Sequence, residues 1–143
     1  MKILIMGLPG SGKTTLAKAL APLIGAVHWN ADEVRANINR DLGFSLPDRI
    51  EQARRMGWLC DQVTLVGEGR HAIADFVCPT RTCRQAFGST NVIFMDTIES
   101  GRYQDTNAIF ERPRTGEYRW CITTFDAERH AEEIAKEIYD NGI

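Results

Sequence analysis

The chain has 143 residues, a length typical of one domain with a single hydrophobic core. It is 43% hydrophobic and 25% charged, and its net charge of -2 excludes a general binding surface for nucleic acid or anionic membranes. The N-terminal sequence MKILIMG is a poor signal peptide, and no apolar run approaches the roughly 20 residues needed to span a bilayer. We therefore expect a cytoplasmic protein in which any anionic ligand binds at a local basic cluster.

The first half of the chain alternates between strand and helix patterns. The apolar run KILIM (residues 2–6) predicts a buried first strand, and residues 13–24 predict a helix that ends at Gly25. The apolar face of this helix consists of Leu16, Ala19, Leu20 and Leu23. A short second strand (26–29) and a short helix (32–40) follow.

A long helix is predicted to start after Ser45, a suitable N-cap, with Pro47 and Asp48 in its first turn, and to run to about Val66. The remaining predicted strands cover residues 71–77, 91–95 and 119–122. This alternation predicts a single α/β domain over residues 1–143, with a mostly parallel five-stranded sheet.

The last predicted helix has a cap at Asp126 and an end at Asn141-Gly142. Its apolar face consists of Ala127, Ala131, Ile134, Ala135 and Ile138. Residues 97–118 show no clear period, which is typical either of a lid or of a plain surface loop.

The four cysteines lack the spacing of a metal site, and no paired histidines accompany them. They are Cys60, Cys78, Cys83 and Cys121. We expect them to be buried, reduced thiols.

The stretch GLPGSGKT matches the G-x-x-x-x-G-K-[ST] pattern, between a predicted strand and a predicted helix. Glycines let the backbone approach phosphate oxygens, and successive N–H groups and the helix N-terminus attract the anion. Lys13 adds a charge across the β and γ phosphates, and the hydroxyl of Thr14 is a ligand for Mg²⁺. We therefore predict that ATP and Mg²⁺ are the cofactors. The predicted nucleotide-binding residues are Gly7, Leu8, Pro9, Gly10, Ser11, Gly12, Lys13, Thr14 and Thr15.

A P-loop alone does not distinguish a kinase from a GTPase or an ATPase. The chain contains no N-K-x-D sequence for guanine recognition, and it is short for a motor ATPase. Both observations favour a small P-loop kinase with the three-layer α/β/α fold of P-loop nucleoside triphosphate hydrolases.

Residues 30–57 carry a cluster of arginines with Phe44 among them. Guanidinium groups recognise phosphate or sulfate through paired hydrogen bonds, and a phenyl ring can stack on a base. The arginines are Arg35, Arg40, Arg49, Arg54 and Arg55. The cluster predicts a second anionic substrate, although a solvated helix face is the favoured interpretation for Arg40 and Arg55.

Three segments of this region resemble the adenylylsulfate (APS) kinase family. NADEVR, NINRDLGFS and DRIEQARRMG are similar to its patterns D-G-D-N-[VI]-R, G-L-N-x-D-L-G-F-S and D-R-x-E-N-x-R-R-[IV]-G, in the same order. ADFVCPTR (74–81) and FMDT (94–97) resemble two later patterns, so the similarity covers about residues 3–97. Members phosphorylate the 3′-hydroxyl of APS with ATP to give PAPS in sulfate assimilation.

The resemblance implies a role for several residues. Lys13 and Asp32 would be catalytic, and Thr14 and Asp32 would hold the metal ion. Phe44 would lie against the adenine of APS. The implied substrate-binding residues are Asp32, Arg35, Asn39, Phe44, Arg49, Gln52, Cys78, Pro79 and Arg81. The strand from Ile73 to Cys78 would end at the cleft.

The chain departs from the family patterns at several positions. Asn30 replaces the first aspartate of D-G-D, Gln52 replaces an asparagine and Cys78 replaces a serine. Asp75 adds a carboxylate that the pattern lacks, and it compensates for Asn30 only if its side chain faces the site.

Residues 98–118 are interpreted as a reduced lid, because only FERP (110–113) resembles the lid motifs of the family. Arg102, Arg112 or Arg114 could close over the triphosphate in place of the missing part. This loss leaves two alternatives to APS phosphorylation. One is a kinase for another nucleotide, a nucleic-acid 5′ end or a small-molecule alcohol; the other is a non-catalytic nucleotide-binding regulator. The sequence does not decide whether the protein forms a homodimer.

Overall fold

The computed structural model describes residues 1–67 and 69–141. Its strands are β1 (Lys2–Met6), β2 (Ala26–Asn30), β3 (His71–Asp75), β4 (Asn91–Met95) and β5 (Trp120–Ile122). Its helices are α1 (Lys13–Ile24), α2 (Ala31–Asn37), α3 (Leu46–Thr64), α4 (Arg81–Phe87), α5 (Gln104–Ile109) and α6 (Ala127–Asp140).

The five strands form one sheet in the order β2-β3-β1-β4-β5, and all four neighbouring pairs are parallel. The predicted α/β class and five-stranded sheet are therefore confirmed. Because every strand runs the same way, the loops that follow the strands meet at one edge of the sheet.

Helices cover both faces of the sheet, as a parallel sheet requires. Alternate side chains of β1 enter opposite layers: Ile3 and Ile5 pack with α1 and α6, whereas Leu4 and Met6 pack with α3 and α4. The predicted three-layer arrangement is confirmed, and β1 is buried on both sides.

Local signals account for most helix ends. Gly25 ends α1 in the left-handed conformation, and the hydroxyl of Ser45 caps α3 by accepting a hydrogen bond from the N–H of Asp48. Asp126 is the N-cap residue of α6, as predicted, but in the described part of the chain its side chain makes no capping hydrogen bond and instead pairs with Arg129 at 3.0 Å. Of the predicted C-terminal end of that helix, Gly142 lies outside the described residues.

Several predicted bounds and faces need correction. Strand β3 ends at Asp75 rather than at residue 77, and α3 ends at Thr64. Leu23 is 42% exposed because the buried stripe of α1 passes through Ala17, Ala21 and Ile24 instead. The predicted face of α6 is buried at four of its five positions, Ala127 being half-buried.

Neither α4 nor α5 was predicted. The signals for α4 are a cap from Thr80, whose hydroxyl accepts from the N–H of Cys83, and a left-handed Gly88 at its end. All four cysteines are free; three are buried as expected, but Cys121 is exposed. Among the described residues, no helix is both long and apolar enough to cross a membrane.

Candidate active site

A cleft of about 1070 Å³ lies at the carboxyl edge of the sheet, where the connections that follow all five strands meet. The P-loop and the start of α1 form its floor, α2 and α3 contribute one wall, and α5 with the start of α6 contributes the other. The cleft therefore brings the two predicted sites, the P-loop and the arginine cluster, into one cavity.

The P-loop follows β1 in a conformation that only glycine allows at two positions. Gly7 has φ +154°, and a Cβ there would lie 2.8 Å from both the Met95 carbonyl oxygen and Ser11 Oγ. Gly12 precedes α1 with φ +96°. The helix N-terminus, with its unpaired N–H groups, thereby opens into the cleft.

Lys13 lies across this loop, where its Nζ donates a hydrogen bond to the carbonyl oxygen of Leu8 at 2.9 Å. Burial lowers the pKa of Lys13 to about 8, the charges of Asp75 and Asp32 oppose that shift, and the charge of Arg102 adds to it. The side chain is thus a desolvated cation held at the centre of the phosphate loop, where it can meet an anion without first losing its own water.

The structure places most predicted nucleotide-binding residues on the cleft surface and some behind it. The lining residues are Pro9, Gly10, Gly12, Lys13, Thr14 and Thr15. Gly7, Leu8 and Ser11 lie behind them and support the loop: the carbonyl oxygen of Ser11 accepts a hydrogen bond from Thr97 Oγ1 at 2.7 Å.

A buried polar cluster lies beside Lys13 at the ends of β2 and β3. The carboxylate of Asp75 is 2% exposed, and its Oδ1 accepts a hydrogen bond from Thr14 Oγ1 at 2.9 Å. Asn30 Nδ2 lies 3.3 Å from each carboxylate oxygen, and His28 Nε2 contacts Oδ2. Asp75 therefore faces the site, and the condition that the sequence left open is met.

The arginine cluster is built around one exposed aromatic ring. The guanidinium carbon of Arg35 lies 4.4 Å from the ring centre of Phe44, and that of Arg49 lies 5.5 Å from it. Arg35 Nη1 also donates to the carbonyl oxygen of Gly43 at 2.8 Å, and Arg49 Nε donates to that of Phe44 at 2.9 Å. Two guanidinium groups thus lie against one phenyl ring, and a flat ring with two cations suits an anionic nucleotide.

Burial lowers the pKa of Arg35, and the nearby charge of Arg49 lowers it further. Burial is also the main cause of a lowered pKa at Arg49. Two desolvated guanidinium groups that repel each other favour an anion between them.

The remaining predicted substrate residues are divided between the cleft and its surroundings. Asp32, Gln52, Cys78 and Pro79 line the cleft. Asn39 is buried behind it and donates to Gln52 Oε1 at 2.7 Å. Arg81 lies outside the cleft and pairs with Glu111 at 3.1 Å and Glu117 at 2.8 Å.

Arg55 pairs with Asp41 at 2.8 Å and with Glu51 at 2.9 Å, away from the cleft. Its Nη1 also donates to Asn39 Oδ1 at 3.2 Å, so Arg55 is half-buried, whereas Arg40 is exposed as expected and offers a control for Arg35 and Arg49.

The reduced lid has two parts in the structure. Its first part contains α5 and lines the cleft through Arg102, Tyr103, Asp105 and Thr106. Of the three arginines considered for closing over the triphosphate, only Arg102 lines the cleft. Arg112 Nη1 donates to Asp96 at 2.8 Å outside it, and Arg114 is exposed.

The second part, residues 110–118, is here named the strap. The N–H of Glu111 donates to the carbonyl oxygen of Pro79 at 2.7 Å. The buried guanidinium of Arg84 on α4 donates to the carbonyl oxygens of Glu111 and Cys78. The strap is therefore fastened to α4 and to the connection after β3, and none of its residues lines the cleft.

Sequence reasoning missed the wall contributed by the β5–α6 connection and the start of α6. Its residues are Thr124, Phe125, Asp126, Ala127 and His130. Their only signal was position, because they follow a strand whose carboxyl end lies at the same edge as the P-loop.

The family model described as Adenylylsulphate kinase matches residues 1–134 of the chain. A probable adenylyl-sulfate kinase of Bacillus subtilis is 29% identical, over 96% of this chain and 75% of the relative. The adenylyl-sulfate kinase of Escherichia coli is 33% identical, over 95% of this chain and 72% of the relative.

Solved structures show the same fold. The APS kinase of Mycobacterium tuberculosis in complex with AMPPNP and APS superposes with a TM-score of 0.81, at 19% identity and 96% coverage of each chain. The shikimate kinase of Acinetobacter baumannii in complex with shikimate gives a TM-score of 0.59 at 18% identity, over 98% of this chain and 93% of that chain.

The anchoring of the strap is testable at Arg84. Arg84→Met removes two hydrogen bonds from a buried charged group, so we expect local opening of the strap to become easier by about 2 kcal/mol. Trypsin should then cleave after Arg114 about 30-fold faster in limited proteolysis, as that energy implies. Arg129→Met, which removes an exposed helix pair, is the control. An unchanged cleavage rate in Arg84→Met would contradict the anchoring.

Proposed function

Since this chain belongs to the adenylylsulfate kinase family, we propose that it transfers the γ-phosphoryl group of ATP to the 3′-hydroxyl of APS, giving PAPS and ADP. The observation that carries the proposal is a single cleft in which a P-loop faces an aromatic ring flanked by two guanidinium groups. The first feature suits a triphosphate, and the second suits a nucleotide with an anionic tail.

Each side chain would act by positioning or by charge, as phosphoryl transfer requires. Lys13 would neutralise the charge that grows on the departing ADP. Asp32 would orient the 3′-hydroxyl and accept its proton as the new P–O bond forms and the bond to the β-phosphate oxygen breaks. Arg35 and Arg49 would fix APS, with Phe44 against its adenine. The remaining proposed APS contacts are Gln52, Cys78 and Pro79.

Mg²⁺ fits the residues present. This ion is usually held by one or two carboxylates together with substrate phosphates, rather than by a cage of protein ligands. The described residues accordingly contain no group of three or more potential ligands, while the Thr14 hydroxyl and Asp32 line the cleft beside Lys13. We propose that Thr14 and Asp32 hold the ion, which would neutralise charge on the phosphates.

The reduced lid favours a second candidate function, transfer to a different alcohol. ADP release should be measured with APS and with a panel of nucleotides, sugars and other alcohols. We expect APS to stimulate release, and Lys13→Ala to lower kcat at least about 100-fold, as loss of a transition-state cation does. Stimulation by another alcohol but not by APS would overturn the proposed acceptor. Tight nucleotide binding with no transfer to any acceptor would indicate a regulator.

The Arg35→Ala variant tests whether Arg35 belongs to the acceptor site or to the nucleotide site. Loss of one charge-assisted contact costs about 1.5–3 kcal/mol, so KM for APS should rise about 10- to 100-fold while KM for ATP changes little. Arg40→Ala, which removes an exposed arginine of the same segment outside the cleft, should leave both constants unchanged. Equal rises in the two KM values for Arg35→Ala would exclude Arg35 from the acceptor site.

ATP binding should depend on pH through Lys13. Its pKa is about 8 in the free protein, and a bound polyphosphate raises it, so binding takes up a proton at higher pH. ATP affinity should therefore fall about tenfold per pH unit above pH 8. Calorimetry in buffers of different ionisation heat should detect close to one proton taken up at pH 9. Lys13→Arg, which stays charged, should lose this uptake; its persistence would assign the proton to another group.

A further inference from the structure

Strands β2 and β3 pair in a register that places Asn30 directly opposite Asp75. The two side chains meet over the start of α1, since Asn30 Nδ2 lies 3.3 Å from both Asp75 oxygens and 3.2 Å from Thr14 Oγ1. An amide and a carboxylate thus occupy matched positions on neighbouring strands, and both contact the hydroxyl of the P-loop threonine.

The amide of Asn30 is oriented so that its oxygen is unavailable to the cleft. Its Oδ1 caps α2 by accepting a hydrogen bond from the N–H of Glu33 at 3.0 Å, which leaves Nδ2 to face Asp75 and Thr14. A cation at this position would therefore meet an N–H donor from residue 30. The carboxylate oxygens at the same place come from Asp75.

Asp75 also fixes the hydroxyl of Thr14. A hydroxyl has one proton and two lone pairs, and Thr14 Oγ1 directs its proton to Asp75 Oδ1 at 2.9 Å. Asn30 Nδ2 donates to one lone pair at 3.2 Å, and the other lone pair is available to a cation in the cleft. The carboxylate itself is held on its other side, where His28 Nε2 contacts Oδ2.

We infer that Asp75 is the carboxylate that positions Mg²⁺ beside Thr14 in this chain, in place of the carboxylate that the family pattern has at residue 30. The inference rests on the proposed function, because it assumes that Mg²⁺ accompanies the nucleotide. The carboxylate comes from β3 instead of β2, and contacts with His28 and Asn30 fix its position. Contacts from Thr14, Asn30 and His28 reach both oxygens of this buried carboxylate, and a metal ion at Thr14 would place an opposite charge beside it.

The test is an exchange of the two side chains. Asp75→Asn removes the carboxylate with little change in shape, whereas the double variant N30D/D75N moves it back to the opposite position on β2. The double variant keeps the net charge and the number of amides, so a loss of metal binding cannot be attributed to composition. Asp61→Asn, which removes a carboxylate that pairs with Lys2 at 2.9 Å, is the matched control.

The measurement is ADP binding by calorimetry with Mg²⁺ and with EDTA, together with Mn²⁺ binding to the ADP complex by electron paramagnetic resonance. We expect Asp75→Asn to bind ADP normally in EDTA and to lose about 10- to 100-fold in metal affinity, as removal of a metal-positioning partner does. The double variant should recover most of that affinity, and Asp61→Asn should match the wild type.

Wild-type metal affinity in Asp75→Asn would overturn the inference, as would a double variant that melts like the wild type yet binds the metal no better than Asp75→Asn. If Asp75→Asn does not fold, the double variant decides alone: near-normal Mn²⁺ binding supports the inference and its loss overturns it. These probes do not involve APS. A protein whose metal binding depends on Asp75 but that does not phosphorylate APS would refute the proposed function and leave this inference standing.

Discussion

The site depends on one steric constraint, the absence of a side chain at Gly7. A Cβ there would lie 2.8 Å from the carbonyl oxygen of Met95, so β4 and the P-loop can approach each other only because residue 7 is glycine. This approach sets the direction in which the chain leaves β1, and hence where α1 begins. Lys13 and Thr14 occupy the first turn of that helix, so the start of α1 determines that their side chains lie in the cleft.

The charges around the P-loop favour binding of an anion beside Lys13. Lys13 is buried enough that its pKa falls to about 8, although two carboxylates oppose the fall. Arg102, on the opposite wall, adds a repelling cation. A polyphosphate would remove that repulsion, and a divalent cation would serve the carboxylates. These charges thus favour a bound anion between Lys13 and Arg102.

The features that could be predicted from the sequence are those that a short segment determines by itself. The P-loop, the bounds of β1 and α1 and the cap at Ser45 all follow from neighbouring residues, and each is present as expected. The helix α4 is short, and its signals, Thr80 and Gly88, are recognisable only once a strand is known to end before them. Short amphipathic segments carry too few residues to reveal their period.

Contacts across the sheet could not be predicted in the same way. The direction of the Asp75 side chain depends on the register between β2 and β3, in which residues 45 positions apart become neighbours. Arg81 stands in a segment that resembles a substrate-binding motif, yet two glutamates of the strap hold it outside the cleft. A motif fixes which residue is present, whereas distant parts of the chain decide which ligand or partner it meets.

The reduced lid changes how the cleft can exclude water. Arg84 and Pro79 fasten the strap behind α5, and Gly101 packs against Pro9 of the P-loop in front of it, where an added Cβ would lie 3.1 Å from the Pro9 carbonyl oxygen. A helix of six residues held at both ends cannot swing as a large lid does. Thr106 on this helix lies 3.4 Å from Arg49, and Arg102 precedes it on the triphosphate side. An acceptor bound at Arg49 and a triphosphate beside Arg102 would therefore both lie next to this short helix, which lines the cleft from a fixed position instead of closing over it as a separate lid.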